Sequence, residues 1–246
     1  MRALYTDDRL ASARRIDGIV QTARRVFAEA FAARVMRRVG RGGAVLDVGC
    51  GDGLFFDRLQ EFGDVWGVEP AADLVSPDGP HRARITVAPF DERFQPGRRY
   101  ALILMLDVLE HMPEPVRALR HALSLLEPGG TFLATVPAFN VLWTTHDDIN
   151  HHYTRYTRAS FGRLAREAGL RVDSARYFFH WTFPAKLATR AAELVLRPTP
   201  ASPRVPPAWA NESLYRLSLL EQRTLGRLPL PFGSSLMVVG GAAAGS

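Results

Sequence analysis

The chain has one cysteine, one lysine and no apolar run approaching the roughly 20 residues needed to cross a bilayer. A lone Cys50 excludes a disulfide framework and suits a reducing compartment, so a cytoplasmic setting is expected. The opening residues, MRALYTDDR, lack the apolar core of a signal peptide. Lys186 is the only lysine, and arginine supplies the rest of the 31 basic residues against 25 acidic ones, for a formal charge of +6. That balance invites a polyanionic partner. The arginines are nevertheless scattered through an alanine-rich chain, so charge alone does not separate nucleic acid, an anionic membrane and neither. With 47% hydrophobic and 23% charged residues in 246, the composition is that of a globular α/β chain with one large domain and an appended segment.

The most informative stretch is AVLDVGCGDG, residues 44 to 53. The apolar run from Ala44 to Leu46 reads as a buried strand, and Gly49, Gly51 and Gly53 as a tight turn feeding a helix over 54–62. Glycines there let backbone approach a ligand closely. Asp47 lies within the strand end, where a carboxylate needs donors or a cation. Glu69 closes the next apolar run, VWGVE, about 20 residues on, the placement that suits a ribose diol. The dinucleotide fingerprint G-x-G-x-x-G fails at its third glycine, where Leu54 stands. The pattern D-x-G-x-G-x-G instead resembles motif I of class I S-adenosylmethionine-dependent methyltransferases. The resemblance implies that Asp47, Gly49, Cys50 and Gly51 lie against the cofactor's amino-acid end, that Glu69 holds the ribose hydroxyls with Pro70 beside it, and that Asp91 meets the adenine. The product would be S-adenosylhomocysteine.

Residues 100–137, YALILMLDVLEHMPEPVRALRHALSLLEPGGTFLATVP, read as strand, turn, helix of period 3.6, Pro-Gly-Gly stop and strand. "LEH" and "L.PGG" in this relation narrow the resemblance to the small-molecule branch that includes ubiquinone and menaquinone biosynthetic methyltransferases. That branch places cofactor contacts at this strand exit, here Leu106, Asp107 and Val108. The strand ends in DVLEH rather than the [DN]-P-P-[YF] of enzymes that methylate exocyclic amines of flipped bases, which argues against nucleic acid.

Residues 138–158, AFNVLWTTHDDINHHYTRYTR, concentrate His146, Asp147, Asp148, His151, His152, Tyr153 and Tyr156 in a stretch too long for a plain connector. Three readings compete: a metal site, a structural loop capping the next helix, and catalysis or substrate orientation. The spacing matches no familiar metal motif, so no metal is expected. Methyl transfer needs alignment and exclusion of water, and a phenol or alcohol must also lose a proton, which imidazole accepts near neutral pH. His146 or His152 is the candidate base, oriented by Asp147 or Asp148. A related bacterial subgroup shows H-D followed by H-Y-x-R-Y-T-R, which this stretch resembles.

The expected architecture is a Rossmann-like, seven-stranded, mostly parallel sheet with its last strand antiparallel and a helical insertion before that strand. Residues 1–42 form an N-terminal helical segment, 43–179 and 233–246 the cofactor-binding domain, and 180–232 an insertion. The insertion would supply an apolar substrate wall from Phe179, Trp181, Phe183 and Trp209, with Tyr153 and Tyr156 facing it. The substrate expected is a small apolar or aromatic molecule methylated at oxygen. Nitrogen methylation, a non-methylating relative and an RNA methyltransferase remain as alternatives. Peripheral membrane contact and a homodimer are left open as roles for the insertion.

Overall fold

The computed structural model describes residues 42–196, 207–224 and 228–243, so the N-terminal helical segment lies outside the described residues. Seven strands form one sheet: β1 (Gly43–Val48), β2 (Gly63–Glu69), β3 (Ile85–Val87), β4 (Tyr100–Leu106), β5 (Leu126–Pro137), β6 (Leu170–Phe178) and β7 (Ser235–Ala242), in the order β3-β2-β1-β4-β5-β7-β6. Pairings from β3 through β5 are parallel, and β7 is antiparallel to both β5 and β6. This is the Rossmann-like arrangement expected, with the antiparallel last strand in place.

β4 is apolar throughout, and β1 is apolar except for Asp47, because both of their faces are covered. Leu46, Val48, Ile103 and Met105 pack on one side with helices α2 (Pro115–Ser124) and α4 (Arg158–Ala168). Val45, Leu102 and Leu104 pack on the other with Phe56 and Leu59 of α1 (Phe56–Leu59). Two elements are shorter than the sequence predicts. The helix expected over 54–62 is the four-residue α1, because the glycine turn continues through Phe55 with bonds from Gly53 to Cys50 and from Phe56 to Gly53. The run Ile85 to Phe90 also reads as a strand, but β3 stops at Val87, since Pro89 has no N–H to extend the ladder.

The carboxyl ends of the parallel strands lie along one edge. The strand order reverses between β1 and β4, and a crevice outside the carboxyl ends at such a point is where α/β sheets bind ligands. The loop after β5 carries a further short helix, α3 (Thr145–Ile149). The insertion carries α5 (Thr182–Leu196) and α6 (Ala208–Arg223). It leaves the sheet at Phe178 and re-enters at Ser235, and Ser235 is paired with both Phe178 and Pro137, so it rises from the same edge as the crevice.

Candidate active site

The glycine turn takes its shape from backbone that only glycine adopts cheaply: Gly49, Gly51 and Gly53 have φ of 73°, 54° and 75°. Gly51 faces open space, with nothing within 4 Å of where a Cβ would stand. Cys50 is turned inward and packs against Gly67, so close that a Cβ there would lie 2.4 Å from its sulfur. Burial, reinforced by Asp47 and Glu69, pushes its thiol up, which makes it a packing residue and not a nucleophile.

Glu69 is buried at the end of β2. Its Oε2 accepts from the Gly51 N–H at 2.9 Å and its Oε1 from the Ala71 N–H at 2.9 Å, which leaves acceptor capacity on both oxygens. Burial raises its pKa, while the two backbone donors oppose the shift. Asp47 is buried in the end of β1. Pro70 is exposed just beyond Glu69. Across the switch point Leu106 ends β4, and Asp107 follows with φ of 54°, a left-handed conformation costly for a residue with a side chain. The Asp107 N–H donates to the Thr135 carbonyl, and its Oδ1 accepts from the Thr135 hydroxyl. Val108 packs directly over Gly49. An open glycine turn, a carboxylate with spare acceptors and a strained strand exit face one another here, and together they fit a nucleoside with a polar tail. Asp91 is placed differently, because the Arg93 guanidinium binds both of its carboxylate oxygens and holds the group down to about 2.

The loop of residues 138–158 is built around Asp147, whose side chain is fully buried. Its carboxylate takes a fork from Arg155, Nε to Oδ1 at 2.8 Å and Nη2 to Oδ2 at 2.9 Å, and the Thr144 N–H at 2.9 Å as a helix cap. His152 Nδ1 lies 2.8 Å from Oδ1. These hydrogen bonds and the Arg155 charge hold Asp147 well below the usual carboxylate range against the effect of burial. His146 stands apart on the exposed side of α3, with its ring against Asn150. Asp148 accepts from the Trp143 indole, and His151 is exposed. Tyr153 is 64% exposed. Tyr156 is a core residue, its ring on Phe161 and its hydroxyl donating to the Leu109 carbonyl. This pairing arises because Ala138 and Tyr156 form a bridge that folds the loop back onto the sheet.

The fold adds residues that the sequence reading did not single out. Glu110, in the DVLEH turn, is 1% exposed, and its Oε2 has no hydrogen-bond partner among the described residues. Burial and nearby Asp107 raise its pKa well above the usual range. His111 stands edge-on to His152 with ring centroids 4.6 Å apart, and lost hydration together with His152 holds it down to about 4. Glu110, His111 and His152 each offer a ligand atom within 4.8 Å of the others, an arrangement able to hold a metal ion and invisible in linear spacing.

The insertion closes over this edge. Phe179 has φ of 56° and packs on Phe178, Trp181 bonds to Ser218 and Glu221 of α6, and Phe183 meets Phe139 at 5.7 Å and Phe232 at 5.5 Å. At the other end of α5, Glu193 accepts from the Thr145 N–H at 3.1 Å and its hydroxyl at 2.9 Å.

Comparison with known proteins agrees with this geometry. A family described as "Methyltransferase domain" matches residues 20–175. A ubiquinone biosynthesis O-methyltransferase of Xanthomonas euvesicatoria pv. vesicatoria (strain 85-10) is 30% identical over 174 residues, covering 61% of this chain and 72% of that protein. A second of the same name, from Xanthomonas campestris pv. campestris (strain B100), is 31% identical over 182 residues, covering 63% and 75%. Among solved structures, an S-adenosylmethionine-dependent methyltransferase from Clostridium acetobutylicum ATCC 824 shares the fold with a TM-score of 0.61 at 9% identity, covering 94% of this chain and 98% of that one. The glycine turn and its acidic partner therefore have their place in a known lineage: the chain belongs to the methyltransferase-domain family and is an S-adenosylmethionine-dependent methyltransferase.

Proposed function

We propose that this enzyme methylates an oxygen of a small apolar or aromatic molecule and that His152 accepts the proton released. The observation that carries the reading is the 2.8 Å contact between His152 Nδ1 and Asp147. A carboxylate on Nδ1 fixes that nitrogen as the N–H and leaves Nε2 with the lone pair, the arrangement a general base requires. Asp147 does not take the proton, because Arg155 and Thr144 hold it as an anion. The cofactor, when bound, supplies a methyl group on a sulfonium. Glu69 and Ala71 would frame its sugar, with Pro70 beside them. Asp47 and the turn at Gly49, Cys50 and Gly51 would line its polar end, and Leu106, Asp107 and Val108 the opposite wall. Phe179, Trp181, Phe183 and Tyr153 would exclude water from the acceptor side. The Arg93 clamp weakens the case for Asp91 at the adenine, and the buried ring of Tyr156 supports the wall from behind.

The test is turnover on a panel of phenols and catechols, followed by release of S-adenosylhomocysteine. His152→Ala should lower kcat by about 10²- to 10⁴-fold, the range for a lost general base, with cofactor affinity by calorimetry unchanged. His146→Ala should cost less than about tenfold by the same reasoning. Full activity in His152→Ala sinks the proposal. A second reading rests on the Glu110, His111 and His152 cluster: a divalent ion held there would acidify the acceptor hydroxyl instead. Activity abolished by EDTA and restored by magnesium would favour it.

The exposed apolar residues of the insertion support a further contact. Val195 is 80% and Trp209 74% exposed, with Leu194, Leu196 and Leu220 also open. Such a surface suits the edge of a lipid layer from which an apolar substrate is taken. Co-sedimentation with anionic vesicles that is lost in Trp209→Ser supports it, and a concentration-dependent dimer without vesicle binding would assign the surface to a second copy.

A further inference from the structure

The described face of α5 is defined by its half-buried residues, Thr182, Phe183, Lys186, Arg190 and Glu193, whose spacing is that of one side of a helix. Phe183 anchors this face on Phe139, and Glu193 anchors it nearly three turns later on Thr145. Lys186 lies between the anchors, so the helix presents it to the 139–147 loop, within electrostatic reach of His146, Asp147, Arg155 and Asp107. Among the described residues no hydrogen bond or ion pair is made by its ammonium. Asp147, which acts on it more strongly than Asp107 does, is occupied by Arg155, His152 and Thr144.

A cation placed at a ligand edge with no partner of its own is waiting for an anion. We propose that Lys186 recognises an oxyanion, a carboxylate or a phosphate, on the acceptor, so that the substrate is an aromatic acid or aryl phosphate whose ring packs on Phe183 and Phe139. The proposal rests on the reading of this edge as the methyl-transfer site. Phe183 and Lys186 are neighbours at i, i+3 on one helix face, which sets an apolar surface beside a positive charge. The surroundings agree, since burial and the Arg155 guanidinium hold the ammonium down to about 8 despite Asp147 and Asp107, an imbalance that a bound anion would reverse. The choice of residue agrees as well. Arginine serves everywhere else in this chain, and lysine is the cation whose charge responds most to its surroundings.

A single lysine makes the test direct. Protein labelled with ¹³C at lysine Cε gives one side-chain signal, and its pH titration can be followed with S-adenosylhomocysteine bound and then with 3,4-dihydroxybenzoate, 3,4-dihydroxybenzamide or phenyl phosphate added. The expected result is an upward move of the midpoint, by about one pH unit or more, with the carboxylate or the phosphate and none with the amide. The responding anion identifies the source. In turnover, Lys186→Met should lower the acid-to-amide ratio of kcat/KM by about tenfold or more, the range for a lost charged hydrogen bond, and Lys186→Arg should restore most of it. An unmoved midpoint with both anions while S-adenosylhomocysteine is bound overturns the proposal, as does equal loss on acid and amide in Lys186→Met. Failure of S-adenosylhomocysteine to bind overturns the reading of the cofactor crevice instead.

Discussion

Arg155→Met would leave the Asp147 carboxylate buried without its fork, so it should destabilise the protein by about 3–5 kcal/mol in urea unfolding, the usual cost of halving a buried ion pair. The pH dependence has a fixed sign. The folded pKa of Asp147 is depressed, so its contribution is complete above the unfolded value near 3.9 and is lost as pH falls through the lower folded value. Arg155→Met should therefore move the acid-unfolding midpoint upward in a circular dichroism titration. Gly67→Ala should be disruptive for a different reason. Its Cβ would meet the Cys50 sulfur at 2.4 Å and Phe56 Cζ at 2.8 Å, and overpacking of this kind costs about 1–3 kcal/mol. Because Cys50 belongs to the glycine turn, calorimetry should also show weaker cofactor binding. The sequence displays Asp147, His152 and Arg155 as residue types worth noting, but not the carboxylate they share. Glu110 and Lys186 carry no pattern of their own, and they matter because a turn and a distant helix bring them to one edge.

Helix α4 reads from the sequence over 158–168 with Gly169 as its stop. Thr157 accepts from the Ser160 N–H as the cap, and Gly169 stops the helix at φ of 83°. Thr157→Ala should cost about 1 kcal/mol in thermal unfolding, the value of one lost cap. The loop of residues 138–158 was harder to read, since its short helix is nucleated by the Thr144 and Asp147 capping box and held by Arg155 from beyond the helix itself. α5 shows the same limit. Its apolar periodicity announces a helix, while its docking depends on Glu193 reaching Thr145 across 48 positions. Glu193→Ala should raise KM for the acceptor more than it changes cofactor affinity, as steady-state kinetics beside calorimetry would show.

For the molecule as a whole, the topology was readable because apolar runs such as Leu102–Met105 can be satisfied only in the middle of a covered parallel sheet. The glycine turn then marks one edge of that sheet as the candidate site. The charge of +6 was a weaker guide. A filter-binding assay should find no tight RNA affinity with the steep salt dependence of phosphate contacts. No helix among the described residues is long and apolar enough to cross a membrane.

Ser235 sits beside both Phe178 and Pro137, so the chain departs for its excursion and returns within one rung of the ladder. A detour whose two feet stand side by side can be exchanged for another, or for a bare turn, without tearing the barrier beneath it. On the function proposed above, a lineage built this way could keep one machine for holding the methyl donor while refitting the part that chooses what receives it.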